Sequence, residues 1–369
     1  MKLKKSDLFY IGIGAGTMYS ILDFLKWDTS ILVQFLKVVC IVCCLMKVFF
    51  DSYKLKTLVL FLIVSIIALY TTVVTGEAYI LIECLLVIAM KNIDAEKAIY
   101  SMYRVKQVIL YICLSIFILN SIVASNSLEY MYVRNEIRYK IMFTHPNNAA
   151  TFWLWHLVEY VYIHFDNLKK THLFYVVGIG MLIWWLTKSD ILLLSLLVLL
   201  LFVLVKSNTM IKLQKIISKY GFASTIGVCV LLLFFRNTKV YTILDMLTTG
   251  RLEMNVKAYE YYGFSLIGQN FISSSWVEHN GNVLGYMVLD NFYIRTIIQI
   301  GVFYILLLVI AFYLYAKYFS YKQMVCVAIL IIYGMAEHYA GNIFIAFPLL
   351  LLGYYAMNHK KLEQIASKR

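Results

Sequence analysis

Long apolar runs, a few of them carrying a single charge such as Lys37, recur along nearly the whole chain, and this recurrence constrains the fold more than any other feature. They fall at 7–25, 29–49, 57–75, 77–90, 107–125, 148–165, 171–187, 190–205, 220–236, 292–315, 323–337 and 341–357. A helix needs about 20 apolar residues to cross the hydrocarbon core of a bilayer. Of the 369 residues 62% are hydrophobic and 14% charged, and the mean hydropathy is +0.78, far from the balance of a soluble domain. The sequence predicts an all-α, polytopic transmembrane helical bundle of about 12 spans, a single integral membrane domain over 1–369. Little chain is left for a separate soluble catalytic domain. Met1 to Lys5 is basic, but no small-residue cleavage pattern follows and Asp23 interrupts the end of the first run. A retained first helix is expected rather than a removed signal.

The formal net charge is +13. In a soluble protein that excess would suggest nucleic acid, whereas here it sorts by membrane side, so no nucleic-acid partner is expected. With a cytoplasmic N-terminus, 22 of the 33 Lys and Arg residues fall in inner loops and 10 on the outer side, with Lys37 inside a span. Every inner loop is then basic, as the positive-inside rule requires, and both termini are cytoplasmic. Most outer connections are short, but 126–147 and 237–291 are long, and long loops are usually functional. Within the second, Thr248-Thr249-Gly250 breaks the chain, 251–262 reads as a helix and Gly263 ends it. Its rings, among them Tyr241, Tyr259, Tyr261, Tyr262 and Trp276, suit a bilayer interface. The seven cysteines all lie in apolar stretches; Cys40-x-x-Cys43-Cys44 lacks a second Cys/His pair, so neither a disulfide framework nor a metal site is expected.

Arg134, Arg138, Arg236 and Arg251 are outer arginines, whose guanidinium forks match phosphate oxygens; anchoring to lipid headgroups would use the same residues. Loop 126–147 nets +1 and 236–291 nets −1, so bulk charge does not choose between these readings. His145 stands in Thr144-His145-Pro146-Asn147-Asn148 immediately before a span, placed either to act as a base on a hydroxyl or to anchor the helix end. Glu278-His279 and Glu337-His338 set acids beside histidines, but neighbours in a helix point apart. His156 and His164 read as packed polar groups inside one span. There is no Asp-x-Asp, P-loop, His-Glu-x-x-His or Gly-x-Ser-x-Gly motif.

The segment Arg138-Tyr-Lys-Ile-Met-Phe-Thr-His145-Pro146-Asn147-Asn148 resembles the Arg…Phe-x-His-Pro-Asn segment of Wzy-type polysaccharide polymerases, in the O-antigen polymerase/ligase superfamily. Further matches follow in family order: Leu186-Thr187-Lys188-Ser189, Thr249-Gly250-Arg251-Leu252, Leu266-Ile267-Gly268, Leu289-Asp290-Asn291-Phe292-Tyr293, Ile300-Gly301, and Glu337 before Asn342. The resemblance spans about 130–350. It departs at Met142 and Asn270, where the family often has Gly, and at Asp190, where it often has Arg; Arg236 or Lys188 then replaces that cation, or position 190 is not a ligand.

The resemblance implies a metal- and cofactor-independent glycosyltransferase of the bacterial cytoplasmic membrane. It would transfer a growing glycan from undecaprenyl diphosphate to the non-reducing end of an incoming lipid-linked repeat unit, at the outer face. Arg138 and Arg251 are then expected at the diphosphate, His145 as base or acceptor-orienting group with Glu337 as the alternative base, and Asn147, Asp290, Asn291, Tyr293 and His338 about the acceptor sugar. Asp290-Asn291 equally suits a plain helix cap. Implied partners are the lipid-linked oligosaccharide, membrane lipids, a flippase and a chain-length regulator. A superfamily ligase with another acceptor, or a multi-span flippase or other transporter, would share much of this pattern.

Overall fold

The structure, a computed structural model, describes residues 4–123, 128–133, 136–236, 238–248, 250–279 and 282–366. Arg134 and Thr249 lie outside the described residues, as do the side chains of Glu278 and His279. The chain is predominantly helical. Among the described residues four helices are long and apolar enough to cross a membrane: Ser30–Phe50, Leu55–Thr75, Ala95–Val123 and Asn208–Phe234. Tyr79–Ala89, Asp190–Leu204, Val302–Tyr318 and Tyr321–Gly334 are apolar but shorter. This is an all-α membrane protein. The Leu55–Thr75 helix exposes Leu62, Ile63, Ile66 and Val73, a surface that only hydrocarbon accepts without cost.

Contacts divide the chain into two compact units, one of 1–53, 85–206 and 343–369, the other of 54–84 and 207–342. In the first, helix Pro146–His164 packs against Ala95–Val123, Lys170–Thr187 and Asp190–Leu204. It is apolar or small on nearly every side, with Trp153, Trp155 and Tyr162 fully buried, as a helix surrounded by others must be. Into this core the chain places one ion pair. Lys106 Nζ lies 2.5 Å from Glu159 Oε1 and donates to the carbonyl of Ile345 at 2.7 Å. His156 is a packed polar group, stacked on Tyr103 at 4.9 Å and 3.3 Å from the Tyr175 hydroxyl. Residues 343–347 are buried yet not helical; the last helix begins only at Pro348, a residue preorganised for a first helical turn.

In the second unit the run expected as one span over 292–315 is broken. Helix Phe292–Arg295 passes into a π-turn, Thr296–Ile300, and Gly301 separates it from helix Val302–Tyr315. The cause lies in the long loop. Val302 N–H donates to Ser265 O at 2.8 Å and Phe303 N–H to Leu266 O at 3.1 Å, while Ser265 and Gln269 donate to Ile297 O and Gln299 O. Segment 265–269 thus satisfies amides that the new helix start leaves without an intrahelical partner. Gly301 has φ +115°, and a Cβ there would stand 2.6 Å from Leu266 O.

The long loop is more ordered in secondary structure than its sequence suggests. It holds helices Lys239–Leu247 and Arg251–Tyr262, the latter bounded by Gly250 and Gly263 as expected. A hairpin pairs Ser274–His279 with Asn282–Met287. In the first unit another hairpin pairs Tyr130–Val133 with Glu136–Tyr139, inside the other long loop. Strands this short, rich in Tyr and Val, sit below the threshold at which alternation can be read.

Gly301→Ala is expected to lower thermal stability in detergent, by about 1–3 kcal/mol from backbone strain alone, since φ +115° with ψ 158° is a region essentially reserved for glycine, and further by displacing segment 265–269. Gly227→Ala, in a helix with nothing near the added methyl, should be neutral or stabilising by up to about 1 kcal/mol. Equal melting of the two variants would contradict the docking account.

Candidate active site around Arg251

Arg251 is the first residue of its helix, and its side chain joins three parts of the second unit. Nη1 donates to the carbonyl of Ala336 at 2.6 Å. Nη2 lies 3.3 Å from Asp290 Oδ2 and 3.6 Å from Glu337 Oε1. Glu337 is almost wholly buried and Arg251 and Asp290 partly so (2%, 29% and 24% exposed), so these charges face one another with limited solvent screening. Asn291 caps helix Phe292–Arg295, its Oδ1 accepting from Ile294 N–H at 3.0 Å, and its amide donates to Met335 O. Tyr293 donates its hydroxyl to Ile331 O at 2.8 Å. Asn291 and Tyr293 therefore brace the strand-to-helix turn that carries Asp290 against the chain leading to Glu337.

One residue beyond Glu337 stands His338. Burial holds its pKa well below the ordinary histidine value, and the charge of Arg295 pushes the same way. The ring is neutral at pH 7, and its buried Nδ1 has no hydrogen-bond partner among the described residues. Burial also raises the Asp290 carboxyl above its ordinary range, against the opposing pull of Arg251 and Arg295.

Arg295, Glu77 and Gln299 form a second polar group that the sequence reading did not select. Arg295 Nε donates to Gln299 Oε1 at 2.9 Å, Gln299 Nε2 donates to Glu77 Oε1 at 3.0 Å, and Arg295 Nη2 lies 3.5 Å from that same carboxylate oxygen. The available signal was a lone arginine within an otherwise uncharged apolar run, since ionisable residues at membrane depth are seldom idle.

The expected residues of the first unit are placed differently. His145 is the N-cap of helix Pro146–His164, its Nδ1 accepting from Asn147 N–H at 3.1 Å. A neutral imidazole that accepts at Nδ1 carries its proton on Nε2 and has no lone pair left for a second proton. This is the helix-anchoring geometry. Arg138 lies 3.6 Å from Glu136 within the hairpin, and its buried Nε has no partner among the described residues. Arg236 is held at the surface by Glu253 at 2.6 Å and Glu260 at 2.8 Å, while Lys188 lies over the Trp184 ring and Asp190 begins a helix. No group of three or more potential metal ligands occurs among the described residues.

Comparison with protein-family models, curated proteins and solved structures finds no match to this chain.

The Asp290 shift has a definite sign. A carboxyl whose folded-state pKa exceeds its unfolded value stabilises the fold at low pH, and that contribution is lost as pH rises through the folded-state pKa. The ionised carboxylate is then a net cost to folding, so Asp290→Asn should melt no lower than wild type in detergent at pH 7. A clear fall in melting temperature would instead make the Arg251–Asp290 pair net stabilising.

Proposed function

We propose that this protein is a polysaccharide polymerase of the bacterial cytoplasmic membrane, working at its outer face on undecaprenyl-diphosphate-linked repeat units. In this reading the chain has about 12 spans, both termini are cytoplasmic, and loops 126–147 and 237–291 lie outside. The observation that carries it is the meeting of Arg251, Asp290 and Glu337. They come from three separate stretches of sequence, each singled out by its resemblance to polymerases, and they form one partly buried cluster, with a neutral histidine, His338, next in the chain after Glu337.

The chemistry asked of such a site is modest. The bond between the glycan anomeric carbon and the diphosphate oxygen breaks, a bond from that carbon to the acceptor hydroxyl oxygen forms, and the hydroxyl proton must be taken up. Diphosphate is a good leaving group, so the main needs are a cation for its developing charge and a base for the hydroxyl. Phosphate oxygens arriving at Arg251 compete with Asp290 and Glu337 for the guanidinium. That competition frees a carboxylate to receive the proton, which gives Glu337 its role as base. Asp290, Asn291, Tyr293 and His338 shape the acceptor side. Arg138 keeps a buried donor without a partner among the described residues of the first unit, and His145 with Asn147 holds the start of its helix.

A flippase reading draws on one observation, the broken helix at Gly301, since discontinuous helices mark substrate sites in transporters. Both readings are tested by the lipid-linked glycans of cells producing Arg251→Ala at wild-type protein level. Loss of polymer with single repeat units displayed outside, where an impermeant oxidant reaches them, is expected; single units retained inside would favour the flippase, and normal polymer would make Arg251 a headgroup anchor. Arg251→Lys keeps the charge without the fork and should retain partial activity, whereas Glu337→Gln should lose about 10²–10⁴-fold as a base variant.

Orientation is checked separately in intact cells. A cysteine introduced at Ser274 should react with an impermeant thiol reagent from outside, above the wild-type background, and one at Ser207 should not. Reaction at Ser207 alone would invert the arrangement and remove the proposed outer site.

A further inference from the structure

Helix Asn208–Phe234 of the second unit begins with a stretch rich in hydrogen-bond donors and without acid to answer them. Lys212, Lys215 and Lys219 fall in its first turns. A π-turn, Ile217–Gly221, a feature frequent at functional sites, packs against helices Val302–Tyr315 and Tyr321–Gly334 and against the turn Ala316–Tyr318, which brings Lys317 to the same end. Segments 207–244 and 291–336 contain no Asp or Glu. Among the described residues none of these four lysines pairs with a carboxylate.

Two of them rest on aromatic rings instead. Lys219 Nζ lies over Tyr313 at 4.5 Å and over Tyr220 at 5.0 Å, and Lys317 Nζ lies over Tyr318 at 4.7 Å. A ring attracts an ammonium but leaves its N–H groups able to reach an oxygen, and tyrosine in a membrane protein favours the level of the lipid headgroups. Beneath the lysines the same stretch buries Gln214 and Ser218 completely, one turn apart. Neither the Gln214 amide nor the Ser218 hydroxyl has a hydrogen-bond partner among the described residues, which adds two unanswered donors to this end of the unit. Beside the lysines, Leu213, Ile216 and Leu314 are exposed, an apolar surface next to a basic one.

We infer that this end of the second unit binds an anionic phospholipid, its phosphate between Lys219 and Lys317 and its acyl chains along Leu213, Ile216 and Leu314. A phosphodiester supplies what the surface lacks, a full negative charge on oxygens that only accept, and its two acyl chains cover the apolar side chains. A free phosphate would answer the lysines alone. The inference makes no use of the polymerase reading, and it ties this part of the fold to the headgroup composition of the membrane.

The test reads binding without turnover. Purified full-length protein in neutral detergent is titrated with dioctanoyl phosphatidylglycerol, dioctanoyl phosphatidylcholine and inorganic phosphate. The variants are Lys219→Gln/Lys317→Gln and, as a control of equal charge in the first unit, Lys97→Gln/Lys170→Gln. At about fivefold per lysine, wild type is expected to prefer phosphatidylglycerol to phosphatidylcholine by roughly tenfold or more. The Lys219/Lys317 variant should lose most of that preference and the control should keep it. Should the first variant fail to fold, wild type in about 1 M sodium chloride, where the Debye length is about 3 Å, decides: the preference is expected to collapse, and its persistence would overturn the inference. Equal binding of the two lipids by wild type would also overturn it and leave the face to an acidic protein. So would a preference that survives Lys219→Gln/Lys317→Gln, or one that falls as far in the control, which would make it an effect of bulk charge. Inorganic phosphate binding as tightly as phosphatidylglycerol would make this a site for the free ion and not for lipid.

Discussion

In hydrocarbon a backbone amide has no water to fall back on, and each one left without a partner costs several kcal/mol. A helix interrupted at membrane depth is therefore tolerable only if other chain closes over the interruption. At Gly301 the cover is the segment 265–269, whose carbonyls take the Val302 and Phe303 amides. Much of the second unit follows from that requirement. The segment comes directly after helix Arg251–Tyr262 in the chain, so fastening one restricts the other, and the π-turn that the break creates carries Gln299 to Glu77 and Arg295. The glycines at 268 and 301 share a cause, because both stand at positive φ where the two backbones meet.

The Arg251 cluster shows the electrostatic counterpart of this constraint. Two carboxylates and a carbonyl engage one guanidinium, which holds the side chain in place without adding net positive charge. Such an arginine is preorganised for an anion, yet it must exchange partners to bind one, so affinity for phosphate is a difference between two strong interactions. On the polymerase reading proposed above, that suits release of the diphosphate product. The raised pKa of Asp290 belongs to the same compromise, a charge kept where folding alone would not favour it.

Some of this architecture was readable from sequence and some could not have been. Gly250 and Gly263 bound a helix in the sequence and in the structure, and Asn291 before an apolar run reads as the cap it is. Local signals of this type depend on residues within a turn of each other. The break at Gly301 gave no such signal, since a glycine in an apolar run reads as a tolerated lapse and the segment that causes the break lies more than thirty residues earlier. The Glu77–Gln299 contact joins residues 222 apart, beyond any periodicity. Of the site residues, Arg251 stood out as an outer arginine and Glu337 as an acid beside a histidine, while Asp290 came with the resemblance, which gave all three their expected roles. His145 caps its helix by accepting from Asn147 N–H, one of two placements that residue type alone leaves open.

The ion pair of the first unit also sets an order of events. Lys106 and Glu159 are made early, but the carbonyl that completes the ammonium's coordination belongs to Ile345, 239 residues after the lysine. At about 5–20 residues per second, the ribosome needs roughly 12 to 50 s to supply it. Phe344, packed against Tyr19, and Phe347, packed against Trp155 and Tyr162, arrive in the same late stretch. Through that interval the first unit sits in the membrane with part of its core unfilled and a buried charge short of one partner. Its assembly closes from the C-terminal end, and a nascent chain halted before residue 343 would lack both the aromatic fill of this core and the Ile345 carbonyl on the Lys106 ammonium.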